Sequence, residues 1–173
     1  MSAPVPLRLD FWCELQCPDC RAALADVAVL RDRFGPELVV ELRHFPLEKH
    51  KHAHLAAQAA EEARAQGQLW AYVEAVLVRV AELAAAKGAA AEKLLVDIAR
   101  GLGLDADEME LALIDGRHIL QVDADEAEGA AIGVKGTPTY EVAGKLLDGS
   151  KDQTGLREQI EAILTDRAAD RHT

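Results

Sequence analysis

Trp12-Cys13-Glu14-Leu15-Gln16-Cys17-Pro18-Asp19-Cys20-Arg21-Ala22 is the stretch that decides the fold. Leu7 to Cys13, just upstream, reads as a strand, and Arg21 to Leu30, just downstream, as a helix. A C-x-x-C therefore sits where a strand hands over to a helix. The unpaired N–H groups and partial positive charge of a helix N-terminus stabilise an anion. A Cys17 thiolate is such an anion, and the thiolate is the reactive form of cysteine. Pro18 falls at the first helical position, where its missing N–H costs nothing. Cys20 follows one turn later, close enough to attack a mixed disulfide formed at Cys17.

Metal readings compete at the same spot. A structural zinc site wants four N or S ligands, usually two such pairs. Here there is one pair and one extra Cys13. Cys13, Cys17 and Cys20 together make C-x3-C-x2-C, a spacing that resembles the cluster motif of radical SAM enzymes. Those proteins usually carry an aromatic residue where this chain has Asp19, and they need a larger partial barrel than 173 residues allow.

That length suits one domain with a good core, or a domain carrying an insertion. Half of the residues are apolar and aromatics are scarce, while alanine is abundant, which favours helix. The formal net charge of −11 argues against nucleic acid and anionic membranes as partners. No apolar run approaches a membrane span. Met1-Ser2-Ala3-Pro4-Val5-Pro6 lacks the basic start and apolar core of a secretory signal. The expectation is a cytoplasmic chain, where dithiols tend to be reduced.

Outward from the motif, the first strand covers about 7–13 and the helix about 18–34, ended by Gly35-Pro36. Leu38 to Phe45 is a second strand with a β-branched, apolar start. Strand, helix, strand implies parallel pairing through a right-handed crossover. A polar turn, 46–54, follows. His50, His52 and His54 alternate in it, with His44 near, and alternating histidines can hold a metal. The plainer reading is solvated residues leading into the next helix.

From about 54 to 132 the chain reads as helix after helix. Leu69 to Ala86 carries Leu69, Val73, Val76, Leu77, Val80 and Leu83 at three- and four-residue spacings. Ala91 to Leu102 follows, then a helix capped by Asp105 with Glu108 as in a capping box. Arg117 to Ile132 is acidic at Asp123, Asp125, Glu126 and Glu128, which reads as a solvated face. The pattern changes at Gly133-Val134-Lys135-Gly136-Thr137-Pro138-Thr139-Tyr140, where glycines lead into Thr-Pro and a strand. A turn at 143–145, a short returning strand and a final helix over about 152–167 follow. The tail after Asp166 is expected to fray.

Taken together these parts resemble the DsbA-like branch of the thioredoxin superfamily. The resemblance spans nearly the whole chain. Glu14 to Cys20 is similar to that branch's active-site turn, His44-Phe45-Pro46-Leu47 to the segment after its second strand, and Gly133 to Thr139 to its cis-proline loop. It implies an α/β fold, β-α-β then β-β-α, with an all-helical insertion: a thioredoxin-like core over 1–52 and 133–173, and an insertion over 53–132. It also implies a cis Pro138 beside the cysteines, with Thr137 and Pro138 shaping a groove for an extended substrate. Pro138 starting an edge strand is the duller reading.

Three departures from the family matter. The dipeptide between the cysteines is Pro18-Asp19, where strongly oxidising members often carry Pro-His. Asp19, with Glu14 close by, disfavours the Cys17 thiolate by like-charge repulsion, so a more reducing couple is expected. Second, many relatives place an acidic residue in the preceding strand to exchange a proton with the buried second cysteine. Asp10 is the candidate here, with an ion pair to Arg8 as the alternative. Third, Cys13 is additional, either a small buried apolar residue or a partner in a regulatory disulfide. The reading is a thiol–disulfide oxidoreductase without a cofactor. Cys17 attacks, Cys20 resolves, Thr137, Pro138, Pro18 and Asp19 meet the substrate, and Asp10 relays protons. Its partners are protein or low-molecular-weight thiols and disulfides. A chaperone-like binding module, a metal or iron–sulfur protein using Cys13, Cys17 and Cys20, and a transferase acting on a small thiol adduct are the alternatives.

Overall fold

Strand β1 (Leu7–Cys13) lies inside a four-stranded sheet of order β2-β1-β3-β4, in a computed structural model that describes residues 5–171. Strand β2 (Leu38–His44) runs parallel to it, from Leu7 opposite Leu38 to Cys13 opposite His44. On the other side β3 (Thr139–Val142) and β4 (Lys145–Asp148) are antiparallel, joined by a turn in which Ala143 and Gly144 both have positive φ. Helix α1 (Pro18–Phe34) makes the parallel crossover, and α8 (Leu156–Asp170) closes the chain. The order is the expected β-α-β, helices, β-β-α.

Alternation along β1 gives the sheet two different faces. Leu9, Phe11 and Cys13 enter one apolar cluster with Cys20, Val27 and Leu30 of α1 and Ile160 and Leu164 of α8. Phe11 stacks on Tyr140 of β3, with ring centroids 5.2 Å apart. Full burial of a side chain such as Leu9 or Phe11 contributes about 1.5–3 kcal/mol. Arg8, Asp10 and Trp12 take the opposite face.

Between the two halves run α2 (Ala53–Ala65), α3 (Leu69–Val78), α4 (Val80–Ala85), α5 (Ala90–Gly101), α6 (Ala106–Asp115) and α7 (Ile119–Ile132). The apolar cluster continues from the sheet through Val73, Val76 and Leu77 of α3 to Leu95 and Ile98 of α5, so these helices share the core of the sheet. The helix expected over 69–86 is broken at Arg79, whose φ of −103° and ψ of 24° are not helical. The break leaves Val78 exposed while turning Val80 and Leu83 inward, and Arg79 is held there by Glu82. Asp105 caps α6 by accepting from the Glu108 N–H, while the Glu108 carboxylate accepts from Arg117 instead of closing a capping box. The last helix starts four residues later than expected, because Asp152 accepts from the Thr154 N–H in a turn and Gly155 has a φ of 73°. That helix then runs to Asp170, past the point where fraying was expected. The first four residues of the N-terminal reading and the last two of the tail lie outside the described residues.

The acidic run of α7 is not simply a solvated face. Asp125 is buried and accepts from Arg43 at 3.0 Å, from the His44 N–H at 3.1 Å and from Gln121 at 3.2 Å. Gly129 sits one turn on, where a Cβ would come within 2.5 Å of Trp12 Nε1. A carboxylate that binds β2 and a glycine that admits Trp12 seat α7 on the outer face of the sheet.

Of the histidines, His44 is buried and His50, His52 and His54 are half-buried, each with a partner. His44 meets Glu61 at 2.7 Å, His52 the Ala86 carbonyl at 2.8 Å, His54 Asp123 at 2.8 Å, and His50 meets Glu14. Each ring has its own partner, and no three metal-ligating side chains converge among the described residues. Around Glu61 burial works to raise the carboxyl pKa, but the bonds from His44 and Arg64 overcome it and hold it at about 2. A carboxyl depressed on folding stabilises the protein above its unfolded pKa, and that stabilisation is lost as pH falls through the folded one. Denaturant midpoints should therefore drop as pH is lowered from 4.5 to about 2, and Glu61→Gln should flatten that drop.

Candidate active site

Cys17 is the N-cap of α1, with φ −88° and ψ 116°, and Pro18 opens the helix. The Cys17 N–H donates to the Glu14 carbonyl at 3.1 Å, and the Cys20 N–H to the Cys17 carbonyl at 3.2 Å. The strand, turn and helix start thus stack Cys13, Cys17 and Cys20 on one side. All three are free and buried. Cys20 is sealed at 0% exposure, whereas Cys17, at 5%, lines an open groove of about 440 Å³. Of the three sulfurs, only that of Cys17 reaches the groove.

The far wall of the groove comes from the loop before β3. The Thr137–Pro138 peptide bond is cis, and the Cys17 Sγ lies 3.6 Å from the Thr137 carbonyl, to which it donates. Residues 120 apart in the chain thus meet at the sulfur. The loop is pinned from below. Thr139 Oγ1 donates to the Gly136 carbonyl at 2.7 Å, and the Gly149 N–H to the Pro138 carbonyl at 2.9 Å. Gly149 has a reason to be glycine, since a Cβ there would meet the Pro138 oxygen at 3.1 Å. The Thr137 hydroxyl is buried and has no hydrogen-bond partner among the described residues. Pro18 and Asp19 are exposed on the rim, and the Asp19 carbonyl accepts from Gln153 at 3.0 Å.

Electrostatics at the sulfurs oppose ionisation. The hydrogen bond to Cys20 and burial both push the Cys17 thiol up, against the Thr137 side chain, which pulls it down. Burial, and then Cys13, push Cys20 up. The helix N-terminus acts in the other direction, by about 0.3–1 kcal/mol when exposed.

Asp10 does not join this site. Its side chain leaves β1 on the face opposite Cys13 and Cys20, where Arg8 donates to it twice at 2.9 Å and Arg43 at 3.1 Å. Glu41 and Glu141 sit directly opposite it on the two neighbouring strands. Three carboxylates in a row need cations, and Arg8 and Arg43 supply them. Burial works to raise the Asp10 pKa, but those bonds overcome it and keep the carboxyl below its usual range. The proton-relay reading is corrected to the ion-pair one. Cys13, not Asp10, is the β1 side chain that touches Cys20.

A pairing that the sequence did not show joins Glu14 of the active-site turn to His50. Glu14, in the turn before Cys17, has a fully buried side chain that pairs with His50 on the opposite loop. His50 and Lys49 line the groove with Cys17. The sequence showed both residues, one as a nearby charge and one in a histidine run, but 36 positions separate them and nothing local pairs them.

The chain is similar to known proteins in sequence and fold. A family model described as a DSBA-like thioredoxin domain matches residues 51–161, a span that starts beyond the cysteines. Among solved structures, a thioredoxin-like oxidoreductase from Silicibacter pomeroyi is 27% identical and superposes with a TM-score of 0.72, covering 95% of this chain and 87% of that one. Oxidised BdbD from Bacillus subtilis is 21% identical, with a TM-score of 0.75 over 95% and 90% of the two chains. Among curated proteins, the Na(+)/H(+) antiporter NhaA of Herminiimonas arsenicoxydans is 32% identical over 156 residues, which are 90% of this chain and 24% of that one. An antiporter NhaA 1 of Mycolicibacterium vanbaalenii is 41% identical over 66 residues, 11% of its length. The chain thus spans less than a quarter of the curated relatives it matches. No described helix is long and apolar enough to cross a membrane.

Proposed function

Because the chain belongs to the DSBA-like thioredoxin domain family, we propose that Cys17 and Cys20 are its redox pair and exchange disulfides with protein or small-molecule thiols. The observation that carries this is the asymmetry of the pair. Cys17 opens onto a groove at a helix N-terminus, and Cys20 lies sealed one turn behind it. In the reducing direction the Cys17 thiolate attacks a substrate disulfide. A Cys17–substrate bond forms, and the substrate's second sulfur leaves as a thiolate that takes a proton. Cys20 then attacks Cys17, releasing the substrate's other thiol and leaving Cys17–Cys20 oxidised. Run backwards, the same steps make the protein an oxidant.

Thr137 and Pro138 form the wall against which an extended substrate would lie. The place of Thr137 supports this, since it lines the groove opposite Pro18 and Asp19 with its carbonyl against the Cys17 sulfur.

The couple is proposed to be more reducing than that of strong oxidants, and to work against a cytoplasmic thiol pool. Strong oxidants stabilise the nucleophilic thiolate and hence the reduced form. Here the thiol pKa of Cys17 is raised by Cys20 and by burial, and Asp19 brings a negative charge to the same turn. Alkylation and mass measurement across a graded thiol/disulfide buffer tests both statements. A reversible two-electron transition of Cys17 and Cys20, with Cys13 unchanged, is expected. Its midpoint should lie below about −180 mV, the value typical of protein disulfide isomerase. A midpoint near that of strong oxidants, about −120 mV, would remove the reducing assignment. No transition at all would remove the redox pair.

A further inference from the structure

Disulfide exchange moves protons as well as sulfur bonds, and the pair of cysteines does not itself say where the Cys17 proton goes. No histidine stands between the cysteines, and Asp10 is tied to arginines on the far face. His50 lines the groove with Cys17, and the buried Glu14 pairs with it; the steps above leave both unused. The Glu14 side chain has 0% exposure. Its Oε1 accepts from the Gln16 N–H at 2.7 Å, and its Oε2 meets His50 Nδ1. Its backbone carbonyl accepts from the N–H of Cys17 itself. His50 is 20% exposed on the groove side, and its Nε2 has no hydrogen-bond partner among the described residues. The loop that carries it is fixed to the active-site turn a second time, by the His52 N–H donating to Gln16 Oε1 at 2.8 Å. The imidazole is therefore anchored at one nitrogen and open at the other, as a proton carrier must be.

We propose that Glu14 and His50 form the proton-exchange pair of the Cys17 site, with Glu14 as the positioning residue and His50 as the group that takes and returns the proton. An imidazole that donates Nδ1–H to a carboxylate presents Nε2 as a base. Cys17 Sγ–H gives its proton to Nε2, directly or through one water. The thiolate attacks one sulfur of the substrate disulfide, a Cys17–sulfur bond forms, and the substrate S–S bond breaks with its electron pair on the second sulfur. That sulfur takes the proton back from Nε2 and leaves as a thiol. No proton is gained or lost. While it holds the proton, the imidazolium also stabilises the thiolate, opposing the effect of Asp19. Other charges act on the pair. Lys49 and Glu48 lie on the same loop, Asp19 and Cys17 at the start of α1, and Lys135 on the loop before β3. Burial pushes the Glu14 carboxyl up, so the charged form depends on His50, the Gln16 N–H and Lys49.

The inference rests on Cys17 being the nucleophile, and its test reads the thiolate directly. The reduced 173-residue chain is alkylated with iodoacetamide across pH, and the label on Cys17 is quantified by mass. The wild-type rate profile should show two inflections, the lower belonging to the pair. In His50→Gln the lower inflection should vanish, and the rate on its acid side should fall about tenfold, the size expected of one charge near the protein surface. The high-pH plateau should be unchanged. In Glu14→Gln the rate on the acid side should fall part of the way toward that of His50→Gln, because the imidazole loses the carboxylate that anchors it. A His50→Gln profile parallel to the wild type, or scaled down equally at every pH with a lowered melting temperature, would make the pair a structural latch and overturn the proposal. If the profiles behave as expected but the Cys17–Cys20 couple is absent, the disulfide reading falls and the proton pair stands.

Discussion

Cys17→Ser should lower disulfide exchange at least ~10³-fold, since removing a nucleophile that the other groups serve abolishes what they contribute. A hydroxyl is too weak a nucleophile near neutral pH to replace a thiolate, and among the described residues no other sulfur opens onto the groove. Cys20→Ser has the opposite signature. Cys17 can still attack, but with the buried partner gone the mixed disulfide has no internal exit. Incubation with a disulfide-containing peptide should give a stable adduct, one peptide heavier, that dithiothreitol releases. An unaltered rate in Cys17→Ser, or an adduct on Cys13 in Cys20→Ser, would reassign the chemistry to Cys13, which touches Cys20 from β1. Cys13→Ala separates the roles further. It should leave exchange near the wild-type rate, because Cys13 is 1% exposed and lies behind the pair.

Asp125→Ala should cost about 3–5 kcal/mol of stability, the size seen when one partner of a buried ion pair is removed. The carboxylate is 2% exposed and accepts from Arg43, from the His44 N–H and from Gln121. Deleting it strands a buried N–H and half-frees a guanidinium that also serves Asp10 and Glu128. The loss is not only thermodynamic. Helix α7 leads directly into the loop that carries Thr137 and Pro138, and Asp125 and Gly129 are what seat it on the sheet. The variant should therefore lower the denaturant midpoint and also loosen the groove, raising KM for peptide substrates more than it lowers kcat. A change below about 1 kcal/mol, the usual range for an exposed pair, would mean that water satisfies the site.

Local chemistry explains why the cysteines are legible in the sequence. A C-x-x-C after an apolar strand, with proline at the first helical position, specifies its own surroundings. The strand, the N-cap and the one-turn spacing are contiguous in the chain. The same holds for the β-α-β start, the helical periodicities and the glycine-rich entry to β3. Legibility fails where a side chain has two faces or two partners to choose from. Asp10 is equally fit, by sequence, to relay protons or to bind Arg8. The choice turns on strand register, since a shift of one residue reverses the face, and on Glu41 and Glu141 lying opposite, which only pairing reveals. The acidic stripe of α7 reads as solvated because nothing in its own sequence names Arg43, 82 residues earlier, as the partner of Asp125. Helix α3 stops at Arg79 because burying Val80 and Leu83 requires a change of direction, although the spacing of the stripe continues unbroken.

By itself, then, the sequence determined the order of elements, the position of the thiol pair at a helix start and the loop that faces it, because each depends on neighbours along the chain. The tertiary structure alone decided which carboxylate is an ion pair and which faces the site. It alone joined Glu14 to His50, and it alone placed Cys13 against Cys20. These pairings form between segments brought together by burial of a shared core, and the electrostatic cost of each buried charge is met by whichever partner the fold delivers.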